Sequence, residues 1–121
     1  MQKRFEGMTA VITGASGGIG AAMAKRFAAE GAAVVVSAID PRVDEVAASL
    51  KAPGAKVASM RMDVTKKDEV AALYDLAEKE FDRVDISVQN AGVITIARIE
   101  VMTEAEWDKV MAVNTKGVFL C

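Results

Sequence analysis

Short apolar runs alternate with segments of helical periodicity along the whole chain. Ile19, Met23 and Phe27 recur at every fourth position, which predicts a helix over residues 18–30 after the first apolar run. The second apolar run is hydrophobic on both faces, as expected of a strand that lies between two layers of helices. The apolar runs predict four strands, over residues 8–13, 32–39, 56–62 and 84–88.

Residues that typically begin helices follow the second, third and fourth strands. Asp40 precedes Pro41, so we expect Asp40 to be the N-cap and Pro41 the first residue of a second helix. Residues 65–68 and 103–106 both have the spacing of a capping box, although the first has Asp in place of the usual Glu or Gln. These two boxes predict the starts of a third and a fourth helix.

Strands and helices therefore alternate four times. This order predicts an α/β fold with a Rossmann-type, doubly wound parallel sheet between two layers of helices, a three-layer αβα arrangement. The length of 121 residues corresponds to one domain, residues 1–121. The longest predicted connection, residues 91–102, is the best candidate for a functional loop.

Composition and charge exclude several kinds of protein. The chain is 52% hydrophobic with a net charge of -2, which is typical of a folded domain and not of a disordered one. Its pI of about 5.2 argues against nucleic acid as a partner. The sequence has no histidine and a single cysteine, Cys121, so we expect no metal site and no disulfide. Apolar runs are too short for a membrane helix or a secretory signal, so we expect a cytoplasmic protein.

Residues 13–20, Thr-Gly-Ala-Ser-Gly-Gly-Ile-Gly, join the first strand to the first helix and contain four glycines. An ordinary strand-to-helix turn needs only one or two. Glycines allow the backbone to approach a ligand closely, and the free N–H groups of a helix N-terminus suit a pyrophosphate. No Lys-Ser or Lys-Thr pair follows Gly20, which excludes a triphosphate-binding P-loop. The predicted cofactor contacts in this loop are Gly14, Ser16, Gly17, Gly18, Ile19 and Gly20.

Four motifs in order make the chain resemble the short-chain dehydrogenase/reductase family. The pattern Thr-Gly-x-x-x-Gly-x-Gly is similar to the family's cofactor signature, and it is followed by three further matches. The resemblance implies that Asp63 and Val64 hold the adenine ring and that Asn114 is the asparagine of the catalytic tetrad. It also implies that the segment around Asn114, including Val113, faces the cofactor. The match that follows the fourth strand, Asn90, Ala91 and Gly92, is similar to the family's Asn-Asn-Ala-Gly motif. This chain has Gln89 at the first position of that motif.

Each of these matches also has a structural interpretation. Asp63 has the chemistry to cap a turn, and Asn90 with Gly92 is typical of turns. Asn114 lies on the predicted apolar face of the fourth helix, where a buried amide must find hydrogen-bond partners and would tie the helix down. The structural and functional roles are compatible with one another.

The choice between NAD and NADP depends on the end of the second strand. An acidic residue there accepts hydrogen bonds from the adenosine ribose and repels a 2′-phosphate. Family members that bind NAD commonly have this acid where the chain has Ala38, whereas here Asp40 follows Gly20 by 20 residues. Asp40 is therefore a candidate for the ribose contact as well as for the N-cap. Neither Gly17 nor Ile39 is basic, so we favour NAD over NADP, with only Arg42 to offer positive charge nearby.

The family's chemistry also needs a serine and a Tyr-x-x-x-Lys pair. The only tyrosine, Tyr74, is followed four positions later by Glu78, and it lies on the predicted core stripe of the third helix. We therefore expect the catalytic Ser, Tyr and Lys beyond Cys121, and the 121 residues to be the incomplete, cofactor-binding half, inactive alone. The sheet would then end after its fourth strand and the following helix, with an exposed edge. The last helix resembles the family's dimerisation helix, which implies a homo-oligomer.

Three hypotheses for function follow. The first is an NAD(P)-dependent oxidoreductase that transfers hydride between nicotinamide and an alcohol or ketone, such as a polyol or a secondary alcohol. The second is a non-catalytic module that only binds a dinucleotide. The third is another nucleotide-binding α/β protein, such as a methyltransferase, and the matches at residues 90–92 and at Asn114 argue against it.

Overall fold

The computed structural model describes residues 2–121, which form a four-stranded parallel sheet with strand order β3-β2-β1-β4. The first strand pairs with both the second and the fourth, so the order in which strands are added reverses at β1, and β3 and β4 are the edge strands of the described sheet. This confirms the predicted doubly wound parallel fold. The strands are β1 (Thr9–Ile12), β2 (Ala33–Ala38), β3 (Val57–Arg61) and β4 (Ile86–Val88).

Helices cover both faces of the sheet. On one face, Ile12 and Val34 pack against the first two helices, and on the other Val11 and Val35 pack against the third. This alternation follows from the two-residue period of a strand and confirms the three-layer arrangement. The helices are α1 (Gly18–Ala29), α2 (Val43–Leu50), α3 (Lys67–Phe81), α4 (Glu104–Met111) and α5 (Gly117–Leu120), with a π-helical turn (Ala112–Lys116) between the last two.

Of the three predicted helix caps, one is confirmed. Thr103 caps α4: its hydroxyl accepts from the Glu106 N–H, and the Glu106 carboxylate accepts from the Thr103 N–H. The box predicted at residues 65–68 is wrong, because the Thr65 hydroxyl donates to Asp63 instead. Asp40 is also not an N-cap: α2 begins at Val43, after Arg42. In both cases an Asp side chain bonds the backbone two residues ahead, and this local turn competes with a helix cap.

The end of the chain departs from one straight helix. Residues predicted as one continuous apolar face instead form α4, the π turn and α5. α4 contributes no buried residue, and Trp107 is 53% exposed. α5 returns to the sheet, where Leu120 packs against the cluster around Leu73. No helix within residues 2–121 combines the length and apolar character needed to cross a membrane.

Candidate functional site

The glycine-rich loop lies at the carboxyl ends of β1, β2 and β4. The Ala15 N–H donates to the Ser37 carbonyl at 2.9 Å, which fixes the loop to β2. Gly14 has a φ of 66°, and a Cβ there would lie 2.7 Å from the Ala91 Cα. A Cβ on Gly20 would lie 2.6 Å from the Gly14 carbonyl oxygen. Gly14 and Gly20 are therefore required by the close packing of this loop against the segment that follows β4.

Gly17 and Gly18 face open space instead. A Cβ on either would meet no atom within 4 Å. α1 begins at Gly18, whose φ of 54° turns the chain into the helix, and the first turn contains no acidic side chain. The first N–H groups of a helix have no partner within it, so they present partial positive charge to this space. Ser16 is half-buried beside them and Ile19 is 74% exposed. The loop thus offers an open, electropositive cradle that fits a pyrophosphate.

Thr13 and Asn90 join this loop to the end of β4. The Thr13 hydroxyl oxygen accepts from the N–H groups of Asn90, at 3.2 Å, and Ala91, at 3.1 Å. The Asn90 side-chain amide donates to the carbonyls of Thr13 and Gly14, both at 3.1 Å. Gly92 follows and is exposed. The motif after β4 is therefore the support on which the glycine-rich loop rests.

Asp63 and Val64 follow β3 at the same edge of the sheet. The Asp63 carboxylate accepts from the Thr65 N–H, at 2.9 Å, and from the Thr65 hydroxyl, at 2.7 Å. These two bonds hold the pKa of Asp63 below its usual value, so the group is ionised at neutral pH. Val64 is buried, and a Cβ on Gly117 would lie 2.7 Å from its Cγ2. The turn-capping interpretation of Asp63 is thus confirmed; the adenine contact remains a prediction.

Asn114 lies in the π turn and holds the chain after Gly92. Its Oδ1 accepts from the Val93 N–H and its Nδ2 donates to the Val93 carbonyl, both at 2.8 Å. The prediction that this amide is buried is wrong, since Asn114 is exposed, but both of its ends are bonded as predicted. Val113, its neighbour, packs on the α3 side of the sheet. Single π turns occur frequently at functional sites, and this one brings the Asn114 amide to the loop that follows β4.

Gln89, where this chain departs from the family pattern, is hydrogen-bonded to Ser87 of β4, which in turn contacts Tyr74 of α3. Its Nε2 donates to the Ser87 hydroxyl at 2.6 Å, and the Tyr74 hydroxyl lies 2.5 Å from the same oxygen. Tyr74 also packs on the α3 side of the core, as predicted. The Gln89 Oε1 is buried and has no hydrogen-bond partner among residues 2–121. The longer amide therefore leaves one acceptor without a partner in this part of the site.

Asp40 lies apart from these residues, just beyond the end of β2. Its carboxylate is bonded by Arg42 and is one-third exposed. Ala38, where an acid is common in the family, is buried. The structure thus brings residues 13–20, 90–92 and 114 together. In the strand order β3-β2-β1-β4, Asp40 follows β2, while Asp63 and Val64 follow the edge strand β3.

Comparison with known proteins decides the family. The sequence profile of the short chain dehydrogenase family matches residues 8–121. The chain belongs to this family. It is 41% identical to the cis-4-hydroxycyclohexanecarboxylate dehydrogenase of Sinomonas cyclohexanicum over 122 residues, which cover 100% of this chain and 49% of that one. The chain spans about half the length of the curated relatives it matches.

Solved structures agree with this assignment. A short chain dehydrogenase from Mycobacterium smegmatis superposes with a TM-score of 0.93 at 33% identity, over 98% of this chain and 51% of that one. A short-chain dehydrogenase/reductase of Brucella melitensis, titled glucose/ribitol dehydrogenase, also has a TM-score of 0.93, at 36% identity, over 99% of this chain and 51% of its own. The named relatives are dehydrogenases, which favours the enzyme hypothesis over a module that only binds a dinucleotide.

Sequence reasoning missed two features of the site. The first is the hydroxyl of Thr13, which was part of a motif but was given no role of its own; a threonine directly before a glycine-rich loop is the only signal for it. The second is Gly117, which is buried against Val64. Nothing local indicates that contact, because the two residues come from separate segments that meet only in the folded chain.

Proposed function

We propose that this chain is the dinucleotide-binding part of an NAD(P)-dependent oxidoreductase that transfers hydride between nicotinamide and an alcohol or ketone. The observation that supports this proposal is a difference in surroundings between two pairs of glycines in the loop. Gly14 and Gly20 pack tightly on the segment after β4, while Gly17 and Gly18 line open space at the N-terminus of α1. A plain turn needs the first pair only, so the second pair supports a ligand that approaches the backbone closely.

The residues present fit such a cofactor. The backbone N–H groups at the start of α1 would hold the pyrophosphate, and Asp63 with Val64 would hold the adenine end. Asn90, Ala91, Gly92 and Val113 would lie along the nicotinamide half, and Asn114 would stand beside the reaction centre as the asparagine of the tetrad. The bound cofactor would supply the hydride acceptor or donor.

NAD is favoured over NADP because no basic residue occupies positions 17 or 39. The proposed contacts are Gly14, Ser16, Gly17, Gly18, Ile19, Gly20, Asp40, Asp63, Val64, Asn90, Ala91, Gly92 and Val113.

The proposed substrate is a secondary alcohol or the corresponding ketone. The Sinomonas relative is named for a substrate with a hydroxyl group on a ring, and the Brucella structure for a sugar and a polyol. These names share a hydroxyl-bearing carbon, and they support the alcohol or ketone class without selecting one compound. No metal enters the proposed reaction.

We propose that the serine, tyrosine and lysine of the tetrad belong to the parent protein, the product of the complete reading frame. Within this chain Tyr74 has no lysine four positions on and its hydroxyl contacts Ser87. The purified 121-residue chain is therefore expected to show no reduction of NAD with any alcohol. Measured turnover by this chain alone would contradict the proposal.

A homo-oligomer is proposed for the parent protein. α4 leaves Trp107 and Met111 exposed, and Phe119 of α5 is 77% exposed. Large apolar side chains grouped on one surface are typical of protein contacts. Light scattering of the parent protein that gives the mass of a monomer at micromolar concentration would contradict this part of the proposal.

Gly18→Asp tests the dinucleotide site directly. A carboxylate at this position would stand where the pyrophosphate is proposed to bind, so titration calorimetry of the parent protein with NAD and NADP should detect no binding. Gly54→Asp is the matched control, because Gly54 also has a positive φ, of 82°, and also faces open space, but lies in the turn before β3. Equal binding by both variants would show that the loop is only a turn.

A further inference from the structure

A cavity of about 690 Å³ lies at the amino ends of the strands, opposite the end that carries the glycine-rich loop. Its walls include Met8, Ala33 and Lys56, which stand at the starts of β1, β2 and β3. Volumes of roughly 300–1,000 Å³ are typical of pockets that bind small molecules. β2 is six residues long and spans about 20 Å, so this cavity is separate from the proposed dinucleotide site.

Backbone hydrogen bonds fix both walls of this cavity. On one side, the Met8 carbonyl accepts from the Ala33 N–H at 2.9 Å, which holds the chain before β1 against the sheet. On the other side, the Lys56 carbonyl accepts from the Val34 N–H at 2.9 Å, which holds the end of the connection between α2 and β3. The cavity is therefore formed before any ligand arrives, and binding would need to order little of the chain.

The inner surface of the cavity is apolar. Ala28 and Leu50 pack on the core on the side of α1 and α2, and Phe81 packs on the side of α3. All three side chains line the cavity and are only half-buried. An apolar group that entered would remove their exposed surface from water, which favours binding.

The charged groups that line this cavity are mostly basic, namely Lys3, Lys25, Lys56 and Glu6. Lys25 and Lys56 are exposed, and neither belongs to an ion pair in the part of the chain that the structure describes. The carboxylate of Glu30, at the end of α1, is not available to them. It is 1% exposed and is already bonded by Arg4 and Arg26.

Two helix ends reduce this positive charge without cancelling it. α1 and α2 both end at the cavity, and the free carbonyls of a helix C-terminus carry about half a negative charge. Lysines therefore have a structural role here, and Lys3 fills it, because its Nζ donates to the Ala29 carbonyl at 3.1 Å. The helix ends and Glu6 together offset about two of the three lysine charges. The remaining positive charge lies beside the apolar surface.

We propose that this cavity binds an organic anion, whose apolar body lies on the inner surface and whose carboxylate, sulfonate or phosphate contacts Lys25 and Lys56. It is a second site that does not depend on the dinucleotide. Both sites can be occupied together, because they lie at opposite ends of the sheet. A neutral molecule of the same shape gains only the apolar contact, so the proposal requires it to bind more weakly.

Anilinonaphthalene sulfonate is a suitable probe, because it joins an anionic group to an apolar body and its fluorescence rises in apolar surroundings. The parent protein is titrated with this probe in the presence of excess NAD, which excludes the probe from the proposed dinucleotide site. Saturable binding is expected. Phenylnaphthylamine, the same molecule without the sulfonate, should bind about tenfold more weakly, since it lacks the charge.

Two sets of variants locate the probe. Lys25→Gln/Lys56→Gln should raise its dissociation constant about five- to tenfold, because each exposed charge contributes modestly. Lys66→Gln/Lys67→Gln is the matched control, with the same change in net charge at exposed positions beyond the carboxyl end of β3. Gly54 lines the cavity and faces open space, so Gly54→Asp should also weaken binding, whereas Gly54→Asn, of the same size without the charge, should not.

The outcomes decide the inference independently of the proposed function. Weaker binding in Lys25→Gln/Lys56→Gln and in Gly54→Asp, but not in their controls, supports it. It is overturned by equal binding in variants and controls, by equal affinity for the neutral probe, or by the absence of saturable binding. Thermal melts followed by circular dichroism show whether each variant is folded, and if one cavity variant is not, the other and its control give the answer. Failure of NAD to bind would contradict only the proposed function.

Discussion

Thr13 and Asn90 are 77 residues apart in the chain and are joined by two hydrogen bonds, both of which Asn90 donates. The Asn90 N–H donates to the Thr13 hydroxyl, and the Asn90 side chain donates to the Thr13 carbonyl, so each residue fixes the backbone of the other. Since Thr13 begins the glycine-rich loop and Asn90 follows β4, these bonds join the proposed pyrophosphate and nicotinamide regions into one rigid edge. Because of these bonds, the conformation of the glycine-rich loop depends on the position of β4.

Thr13→Val should destabilise the protein and weaken dinucleotide binding. Valine has nearly the shape of threonine, but it leaves the half-buried Ala91 N–H without its acceptor. The Asn90 N–H loses one of its two acceptors and keeps the Val88 carbonyl, at 3.1 Å. The expected loss is about 1–3 kcal/mol in the free energy of unfolding, measured by urea denaturation of the parent protein.

Thr115→Val is the control for this substitution. Thr115 is exposed on the π turn, and its hydroxyl lies 4.0 Å from the Met111 sulfur, so the change in stability there should stay within about 0.5 kcal/mol. Similar losses in the two variants would mean that the Thr13 hydroxyl has no special role.

Asn114→Ala should loosen the connection that follows β4. The substitution removes both hydrogen bonds to Val93. Because this change is local, hydrogen exchange at the Val93 amide should become faster while the amides in β1 and β2 remain protected. Asn114→Asp is the informative partner variant, because a carboxylate still accepts from the Val93 N–H but no longer donates to its carbonyl. Its exchange rate should lie between those of wild type and the alanine variant; an unchanged rate in Asn114→Ala would contradict the contact.

Gly117→Ala should be destabilising because of overpacking against Val64. A Cβ at position 117 would lie 2.7 Å from the Val64 Cγ2, which forces one of the two segments to move. Such insertions cost about 1–3 kcal/mol. The double variant Gly117→Ala/Val64→Ala removes the clashing methyl groups, so its loss of stability should be smaller than the sum of the two single losses, measured as a double-mutant cycle. Simple additivity would mean that the contact is absent in solution.

The lowered pKa of Glu30 predicts how the free energy of unfolding depends on pH. This carboxylate is only 1% exposed at the end of α1, and hydrogen bonds from Arg4 and Arg26 lower its pKa from 4.5 to about 2. Since the folded pKa is below the unfolded one, the carboxylate stabilises the fold above pH 4.5. That contribution is lost progressively as pH falls from 4.5 towards 2.

Glu30→Gln should therefore lower the urea midpoint at pH 7, and the difference from wild type should shrink as pH falls below 4.5. Glu80→Gln, at an exposed position on α3, is the control and should leave the pH dependence of wild type unchanged. A gap between wild type and Glu30→Gln that stays constant from pH 7 to pH 3 would show that the ion pairs of Glu30 do not matter.

Patterns within one segment were sufficient to predict the elements and their order. The continuous apolar run of β2 and the four-residue period of α1 each depend on residues close in the chain, and both elements are confirmed. Of the apolar positions predicted on α1, Met23 and Phe27 pack on the core, whereas Ile19 is 74% exposed. Helix starts were less predictable, because an aspartate two residues before a backbone N–H can make its own turn. Asp40 and Asp63 both did so, and in each case the helix begins later than its capping pattern indicates.

The candidate site divides along the same line. The sequence by itself determined that glycines follow β1 and that amides occur after β4 and in the last predicted helix. These features could be predicted because a motif and its place in the order of elements are read directly along the chain. Only the tertiary structure decided that Asn90 packs against Gly14 and Gly20 and that Gly117 packs against Val64. Such contacts join side chains from distant segments, and their distances follow from how the sheet packs on its helices rather than from any local preference.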